Sequence, residues 1–423
     1  MKINLHLIVF NLQIEYSNNE IEALETALKY ADEKTIPLLM EQIDLLKQKS
    51  APVEVQGDLF GNTNQLKVFT TIEDIPELTK ETVSEGLIKM RKANPDPQLT
   101  FLSFGGGQDS FAILYKLIKD NEFRKEYAPN DLVVVMSDTG NEFPYTYQAI
   151  EEAKVLCKAN NIPFKFLTSD MGFHTRAWPN LTFNLEKNRS ILSATMGVKA
   201  CTGNLKINPC DKYLNNYLYK TYGGVDPQYK KRFDEGLRST PIGINFKNYF
   251  EKFNCKVRVI IGFAKDEEMR VIKTLKMKHK LPKWKRDYVD FCFPLIEKKW
   301  NREAAQDIIK SYHKYLVPPS NCMLCFYQSD HEVVWLERNY PEMFKKWIDL
   351  EKNKLDKDVE QNQPKSNGVY GKVNLIEKLA LAKAKYDKSW KDGALSNVPI
   401  GEWTDDQLYE YKLSHGHCVN SNF

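Results

Sequence analysis

The sequence predicts an α/β fold, a doubly wound and mostly parallel sheet with helical additions before and after it. Short apolar strands are predicted at residues 99–104, 132–136, 164–168, 257–263 and 290–295. Helical stretches fall between them, near residues 110–119, 144–160, 206–220 and 301–312. Because these strands lack polar alternation, we expect helices to cover both faces of the sheet. Ligands of such sheets bind at the carboxyl ends of the strands.

The chain is longer than one domain usually is, so about two to three structural units are expected from its 423 residues. Residues 1–97 are predicted to be a helical N-terminal region, with a helical hairpin at 18–48 and a further helix near 77–92. Residues 98–330 form the predicted nucleotide-binding α/β domain. Residues 331–423 are predicted to be helical and are rich in lysine.

Charge, hydropathy and cysteine content restrict the classes of partner. The net charge is only +4, so any contact with nucleic acid must come from a local patch. No apolar run approaches the length of a membrane span, and no signal peptide is recognised at the start of the chain. We therefore expect a cytoplasmic protein without membrane contact. Its eight cysteines are too few for a disulfide scaffold and suit thiols, metal ligands or nucleophiles.

A glycine-rich loop joins the first predicted strand to the next helix, with the sequence Ser-Phe-Gly-Gly-Gly-Gln-Asp-Ser at 103–110. Such a turn presents backbone N–H groups, and the helix dipole adds positive potential, so a phosphate is the expected ligand. Side chains at the glycines would block that phosphate. A plain left-handed turn between strand and helix is the alternative. The expected nucleotide-binding residues are Ser103, Gly105, Gly106, Gly107, Gln108, Asp109 and Ser110.

The second predicted strand ends in Ser-Asp-Thr-Gly at 137–140. A carboxylate and a hydroxyl at this edge suit contacts with an adenine, a ribose or Mg²⁺ beside the phosphate loop. The binding residues predicted here are Asp138, Thr139 and Gly140. The alternative is that Asp138 caps a turn.

These two segments resemble the PP-loop ATP pyrophosphatases and their relatives, the phosphoadenylyl-sulfate (PAPS) reductases. Gly105 to Ser110 align with the family loop Ser-Gly-Gly-x-Asp-Ser, with Gly105 at the leading serine. The PAPS reductase hallmark Asp-Thr-Gly-x-x-Phe-Pro-x-Thr is matched from Asp138 to Thr146. The resemblance implies an adenine nucleotide alpha-hydrolase-like fold that binds ATP or PAPS, with Asp109 and Asp138 positioning Mg²⁺.

Cysteines supply a third motif. Residues 200–210 are similar to the family segment Cys-Cys-x-x-x-Lys-x-x-Pro, with Cys201 and Lys206 in place and Ala200 at the first cysteine. A Cys-x-x-Cys follows at Cys322 and Cys325, and such a turn suits Zn²⁺ or an iron–sulfur cluster. For the iron–sulfur branch, the resemblance implies a 4Fe–4S cluster on Cys201, Cys322 and Cys325, with Cys210 as the fourth ligand. Zn²⁺ and buried free thiols are the alternatives.

Three further features concern substrates. Arg270 fits a family arginine that meets the phosphate or sulfate of the nucleotide, although a solvated helix start is the alternative. The lysine-rich run 273–286, with Trp284 interleaved, suits phosphate contacts and base stacking with DNA or RNA, or is simply a solvated face. Cys418 lies in the tail beside His415 and His417, which would lower the pKa of its thiol. PAPS reductases attack sulfur with a tail cysteine, and a disordered terminus is the alternative.

The resemblance implies an ATP pyrophosphatase that adenylates an acceptor for sulfur transfer. A nucleic acid is the expected acceptor, as in DNA phosphorothioation or tRNA thiolation, and a sulfur-donor protein is an expected partner. The expected catalytic residues are Asp109, Ser110, Lys206, Arg270 and Cys418. One alternative is a PAPS or adenylyl-sulfate reductase that uses Cys418. Another is a non-catalytic nucleotide-binding module of a defence or mobile-element complex.

Overall fold

The computed structural model describes residues 78–194, 200–223, 243–313, 316–363 and 367–415. The chain divides into two compact units, Met1–Lys67 and Val68–Phe423, and all of the described residues belong to the second. The helical hairpin predicted at 18–48 lies outside the described residues. No helix within the described ranges combines the length and the apolar character needed to cross a membrane.

Five strands form one sheet, in which every neighbouring pair is parallel. They are β1 (Leu99–Ser103), β2 (Asp131–Ser137), β3 (Phe164–Leu167), β4 (Val257–Ile261) and β5 (Val289–Cys292). The spatial order is β3–β2–β1–β4–β5, so the winding reverses between β1 and β4. The predicted α/β fold with a doubly wound parallel sheet is confirmed. The fifth strand ends at Cys292 rather than at 295, because Pro294 begins a helix.

Helices account for most of the rest of the described chain. In order they are α1 (Val83–Ala93), α2 (Gln108–Lys119), α3 (Asn121–Tyr127), α4 (Pro144–Ala159), α5 (Leu181–Asn188), α6 (Asn208–Tyr222), α7 (Ile244–Phe253), α8 (Glu268–Lys276), α9 (Lys283–Tyr288), α10 (Pro294–Glu297), α11 (Arg302–Tyr312), α12 (Asp330–Asn339), α13 (Pro341–Glu360), α14 (Leu375–Ala384) and α15 (Asp405–Ser414). A π-helical turn, Thr202–Ile207, precedes α6. The helix predicted near 77–92 corresponds to α1.

Helices cover both faces of the sheet, as the apolar strands predict. Alternate residues of β1 point to opposite faces, so Leu102 packs with α2, α4 and α11, whereas Leu99 and Phe101 pack with α6 and α7. Both sets are buried. The sheet is therefore a central layer, and the carboxyl ends of its strands are left for ligand binding.

The C-terminal helices α12 to α15 have a core of their own, which also includes residues from the α/β part. Phe143, Leu185, Leu205 and Phe326 join residues of α12 to α15 in one buried apolar cluster. Residues 331–415 therefore pack directly against the segments on either side of the motifs at 138–146, 201–206 and 322–325.

Candidate nucleotide and cysteine site

A cleft of about 300 Å³ opens where β1 and β4 end. Ser103 at the end of β1 lies opposite Ile261 at the end of β4, and both line the cleft. This is the switch point at which a ligand of a doubly wound sheet is expected. The residues singled out from the sequence that line it are Ser103, Gly105, Gly107, Gln108, Asp109, Ser110, Thr139, Cys201, Lys206, Arg270, Cys322 and Cys325.

The glycine-rich loop is closed by its own serine. The backbone N–H of Gly105 donates to Ser110 Oγ at 3.2 Å, and that hydroxyl donates to the carbonyl of Gly107 at 2.9 Å. The hydroxyl predicted to hold phosphate is thus engaged within the loop. Gly107 is the N-cap of α2, and no side chain caps this helix. Its first backbone amides are therefore the groups that suit a phosphate.

The loop glycines are required by packing as well as by phosphate access. A Cβ at Gly107 would lie 2.5 Å from the backbone nitrogen of Ser320. Gly106 has a φ of +73°, and a Cβ there would lie 2.9 Å from Thr146 Cγ2. The loop is therefore in close contact with the segment 319–327, which carries Cys322 and Cys325.

Asp109 lies in the cleft among both acidic and basic side chains. Its Oδ1 is buried and has no hydrogen-bond partner among the described residues. Burial and the nearby Glu267 carboxylate raise the pKa of Asp109 to about 8, while Arg302 and Arg270 act in the opposite direction. The Asp109 carboxyl is therefore expected to hold a proton at neutral pH.

Two arginines are held beside Asp109 by carboxylates. Arg270 pairs with Glu267, and its guanidinium lies 4.3 Å from the centre of the Phe263 ring. Arg302 is buried, pairs with Asp266, and lies 3.6 Å from Glu267 Oε2 through its Nη2. Both arginines line the cleft. They are suited to an anionic ligand that competes with these carboxylates.

Sequence reasoning missed Glu267, Arg302 and Ser320. Glu267 and Arg270 are three residues apart, a spacing that favours an ion pair on a helix and could have indicated Glu267. No local pattern marks Arg302 or Ser320, because the fold alone brings them to the loop.

Asp138 acts as a turn cap. Its Oδ1 accepts hydrogen bonds from the backbone N–H of Gly140 at 2.8 Å and from the Tyr147 hydroxyl at 2.9 Å. Gly140 has a φ of +76°, as the turn requires. Neither Asp138 nor Gly140 lines the cleft, whereas Thr139 does and donates to Glu142 Oε1 at 3.0 Å. The contacts of Asp138 are therefore those of a turn cap, the alternative given in the sequence analysis.

Three of the four predicted cysteine ligands line the cleft. Cys201, Cys322 and Cys325 all line it, and none of them is in a disulfide. Lys206 lies among them, and its Nζ is 3.3 Å from Oε1 of the fully buried Glu142. Burial alone would lower the pKa of Lys206, but Glu142 and Cys322 raise it overall, so the ammonium stays charged. Burial and Cys325 raise the pKa of Cys201, and Lys206 opposes them.

The fourth predicted ligand, Cys210, does not line the cleft. It lies on α6 and packs, partly buried, in the apolar cluster that contains Tyr213 and Tyr217. Burial and the neighbouring Asp211 raise the pKa of its thiol to about 12. The physical reason is packing, since this position of α6 lies against the apolar cluster and not in the cleft. Cys418 lies outside the described residues.

The cleft offers thiols and carboxylates as candidate ligands for a metal group. Within the described ranges, no three His, Cys, Asp or Glu side chains are grouped so as to hold one metal ion. Zinc needs thiolates at about 2.3 Å from a single ion. A 4Fe–4S cluster binds each thiolate through a different iron, so its ligands lie further apart. Cys201, Cys322 and Cys325 supply the thiol chemistry that zinc and 4Fe–4S clusters both bind. The Oδ1 of Asp109, which has no hydrogen-bond partner among the described residues, fits a hard cation such as Mg²⁺.

The lysine-rich run 273–286 is only partly available to a partner. Trp284 packs against Phe246 with ring centres 4.5 Å apart, so its ring is engaged by the protein rather than free for base stacking. Lys285 is buried and its Nζ is 2.7 Å from Asp211. Lys276 and Lys280 are exposed. The segment therefore offers charge for phosphate contacts, while the predicted stacking residue serves the core.

The chain matches no protein-family model and no curated protein. Among solved structures it is similar to the U34-tRNA thiolase NcsA from Methanococcus maripaludis, described with its 4Fe–4S cluster. The identity is 14%, the match covers 77% of this chain and 86% of that chain, and the TM-score is 0.31. At this level the similarity carries no argument about activity, and the fold assignment above rests on the strand order and register of this chain.

Gly107→Ala tests the close contact between the loop and Ser320. Because φ of Gly107 is −105°, alanine fits the backbone and only the steric clash is introduced. We expect the free energy of unfolding to fall by about 1–3 kcal/mol, the usual cost of overpacking. Chemical denaturation measures it. Gly393→Ala is the control, since its Cβ would meet no described atom within 4 Å. Equal stability of the two variants would refute the contact.

The raised pKa of Asp109 predicts a pH-dependent stability. The carboxyl ionises near 3.8 in the unfolded chain and near 8 in the folded protein, so between these values the folded state keeps a proton that the unfolded state has lost. Raising the pH through this window therefore destabilises the wild type relative to Asp109→Asn, which cannot ionise. Thermal unfolding of both proteins from pH 5 to pH 8 should show the Tm of the wild type falling relative to that of Asp109→Asn. A constant difference in Tm would contradict the shift.

Proposed function

We propose that the protein is an ATP pyrophosphatase that adenylates an acceptor and prepares it for sulfur transfer. One observation carries the proposal: a single cleft combines an uncapped helix N-terminus, two arginines, a charged lysine and three cysteines that form no disulfide. The first two features suit a polyphosphate, and the last two suit sulfur chemistry. The motif resemblance to PP-loop ATP pyrophosphatases points the same way.

The phosphate end of the cleft would activate the acceptor. The triphosphate would bind the first amides of α2, with Arg270 and Arg302 on its outer oxygens. An acceptor oxygen attacks the α-phosphorus, the bond to the β-phosphate oxygen breaks, and pyrophosphate leaves with the electron pair. The arginines stabilise the charge that develops on this leaving group. Mg²⁺ held by Asp109 would neutralise further charge there.

The cysteine end would deliver sulfur to the activated acceptor. Burial raises the pKa of Cys201, and the Lys206 ammonium opposes that rise. Thiolates are the forms that bind metals and sulfur. A 4Fe–4S cluster on Cys201, Cys322 and Cys325 would supply a binding place for sulfide. Sulfide-level sulfur attacks the adenylated centre, and AMP departs with the acceptor oxygen, so no external reductant is needed. Cys210 is left out of this ligand set.

A nucleic acid is the acceptor class that the surface suits. Helix α8 carries Arg270 in the cleft and continues into the lysine-rich segment, where Lys276 and Lys280 are exposed. A phosphate backbone bound at these lysines would lie along the same helix as the nucleotide site. DNA phosphorothioation and tRNA thiolation both meet this description, and the sulfur would come from a donor protein.

Pyrophosphate release from ATP tests the activity. We expect release that increases when tRNA or DNA is added, and that falls by about 100-fold in Arg302→Met, because a transition-state anion contact is lost. Asp109→Ala sets the background, and Cys418→Ser should release pyrophosphate like the wild type. Release no greater than that of Asp109→Ala with every acceptor would favour a non-catalytic nucleotide-binding module. Sulfite release from PAPS that Cys418→Ser abolishes would favour the reductase alternative.

Iron content tests the ligand set. After anaerobic purification and reconstitution, iron and sulfide analysis with visible absorbance should give a cluster in the wild type. Cys201→Ser, Cys322→Ser and Cys325→Ser should each lose it, because a serine hydroxyl is a poor replacement for a thiolate. Cys210→Ser is the matched control and should retain it. Loss of iron in Cys210→Ser would restore the four-cysteine set, and a colourless wild type with stoichiometric zinc would refute the cluster.

A further inference from the structure

Lys412 is a charged side chain in an apolar place. It lies on α15, only 1% of it is exposed, and it is far in sequence from every motif discussed above. Its Nζ lies 4.4 Å from the centre of the Phe143 ring and 5.3 Å from that of Trp335. Tyr145 adds a third ring at 5.8 Å. These rings form a box that attracts a cation through their faces.

The ammonium also makes two hydrogen bonds that lead to the cysteine end of the cleft. It donates to Asn321 Oδ1 and to Glu332 Oε1, each at 3.1 Å. Asn321 is itself buried, lines the cleft and immediately precedes Cys322. The Tyr145 hydroxyl donates to the same Asn321 oxygen at 3.3 Å. The side chain that sets the start of the Cys-x-x-Cys turn is thus held from α15.

The same ammonium reaches the other wall of the cysteine end. Phe143, whose ring lies under Nζ, directly follows Glu142, the partner of Lys206. Glu142 and Cys322 pair through an antiparallel backbone bridge, and the N–H of Met323 donates to the carbonyl of Asn141 at 2.8 Å. Lys412 therefore contacts both of the segments that meet at this bridge.

Stability alone gives a weak reason for a buried lysine here. Replacing a buried ion pair by well-packed apolar side chains is often neutral or stabilising, and a box of three rings would accept methionine readily. The lysine supplies what an apolar side chain lacks, namely two directed hydrogen bonds that fix Asn321 and Glu332 relative to the rings.

We propose that Lys412 is a positioning residue for the cysteine site, fixing Asn321 and thereby Cys322 against the Glu142–Phe143 segment that holds Lys206. Helix α15 then helps to position the cysteines of the site through Lys412. The consequence for cluster binding rests on the proposed function, whereas the positioning of the thiols does not.

Thiol reactivity and iron retention test this role. In metal-free protein, Lys412→Met should change the iodoacetamide labelling rate of Cys322 severalfold, measured by mass spectrometry, with buried Cys157 as the internal reference. After anaerobic reconstitution, iron should be lost to a chelator roughly tenfold faster, the usual effect of removing a group that orients a ligand. Affinity for ATP should stay within about twofold of the wild type, since the phosphate end is intact.

Two further variants separate positioning from folding. Lys391→Met removes an exposed ion pair between Lys391 and Glu410 of α15, at 3.0 Å, and should behave as the wild type. Glu332→Gln combined with Lys412→Met leaves no buried charge at the pair, so it should fold even if the single variant does not. We expect it to keep the altered Cys322 reactivity.

The outcomes decide the inference independently of the proposed function. Wild-type labelling and iron retention in folded Lys412→Met would overturn it. So would their recovery in the double variant, because Lys412 would then only neutralise Glu332. If the wild type neither cleaves ATP nor binds iron, the proposed function fails, and the labelling rates alone still test the position of Cys322.

Discussion

Ser320 approaches Gly107 so closely that a methyl group at position 107 would lie 2.5 Å from the Ser320 backbone nitrogen. A second close approach lies on the other side of α2, where a Cβ at Gly262 would lie 3.1 Å from the nitrogen of Ser110. The start of α2 is thus packed between the end of β4 and the cysteine-bearing segment. Without these glycines the phosphate loop and the thiols would lie in separate places. The joint nucleotide and sulfur chemistry that we propose would depend on this packing.

The C-terminal helices extend the same principle to the other end of the cleft. Their core includes Phe143 and Leu205, the neighbours of Glu142 and Lys206. A lysine whose ammonium is held by one buried carboxylate needs that carboxylate to be immobile, and the second core supplies this rigidity. Helices α12 to α15 therefore support the site through a shared core and do not form a separate domain.

The parts of this architecture that a sequence reveals are the local ones. Apolar runs predict the five strands, and the glycine loop and the Cys-x-x-Cys turn are visible as motifs. Tertiary packing is not local, so the sequence does not reveal that Cys210 packs against an apolar cluster instead of lining the cleft. The hydrogen-bond partners of a carboxylate are also hard to predict from sequence, since Asp138 accepts from the N–H of Gly140 and from the Tyr147 hydroxyl. Arg302, Ser320 and Lys412 reach the site through tertiary packing, and no sequence pattern marks them.

Charge balance within the cleft favours a ligand that carries a cation together with its phosphates. Arg270 and Arg302 are already paired with Glu267 and Asp266, so an anion that binds them must compete with those carboxylates. Asp109 holds its proton because it is buried and because Glu267 is near, and an anion alone would raise the pKa of Asp109 still further. A divalent cation reverses both effects, since it displaces the proton from Asp109 and draws the phosphate oxygens past the acidic residues. The same balance disfavours free phosphate and sulfate, whose charge no cation offsets. In the function proposed above, selection of ATP with its metal over a simple anion would thus follow from the carboxylates that hold the arginines.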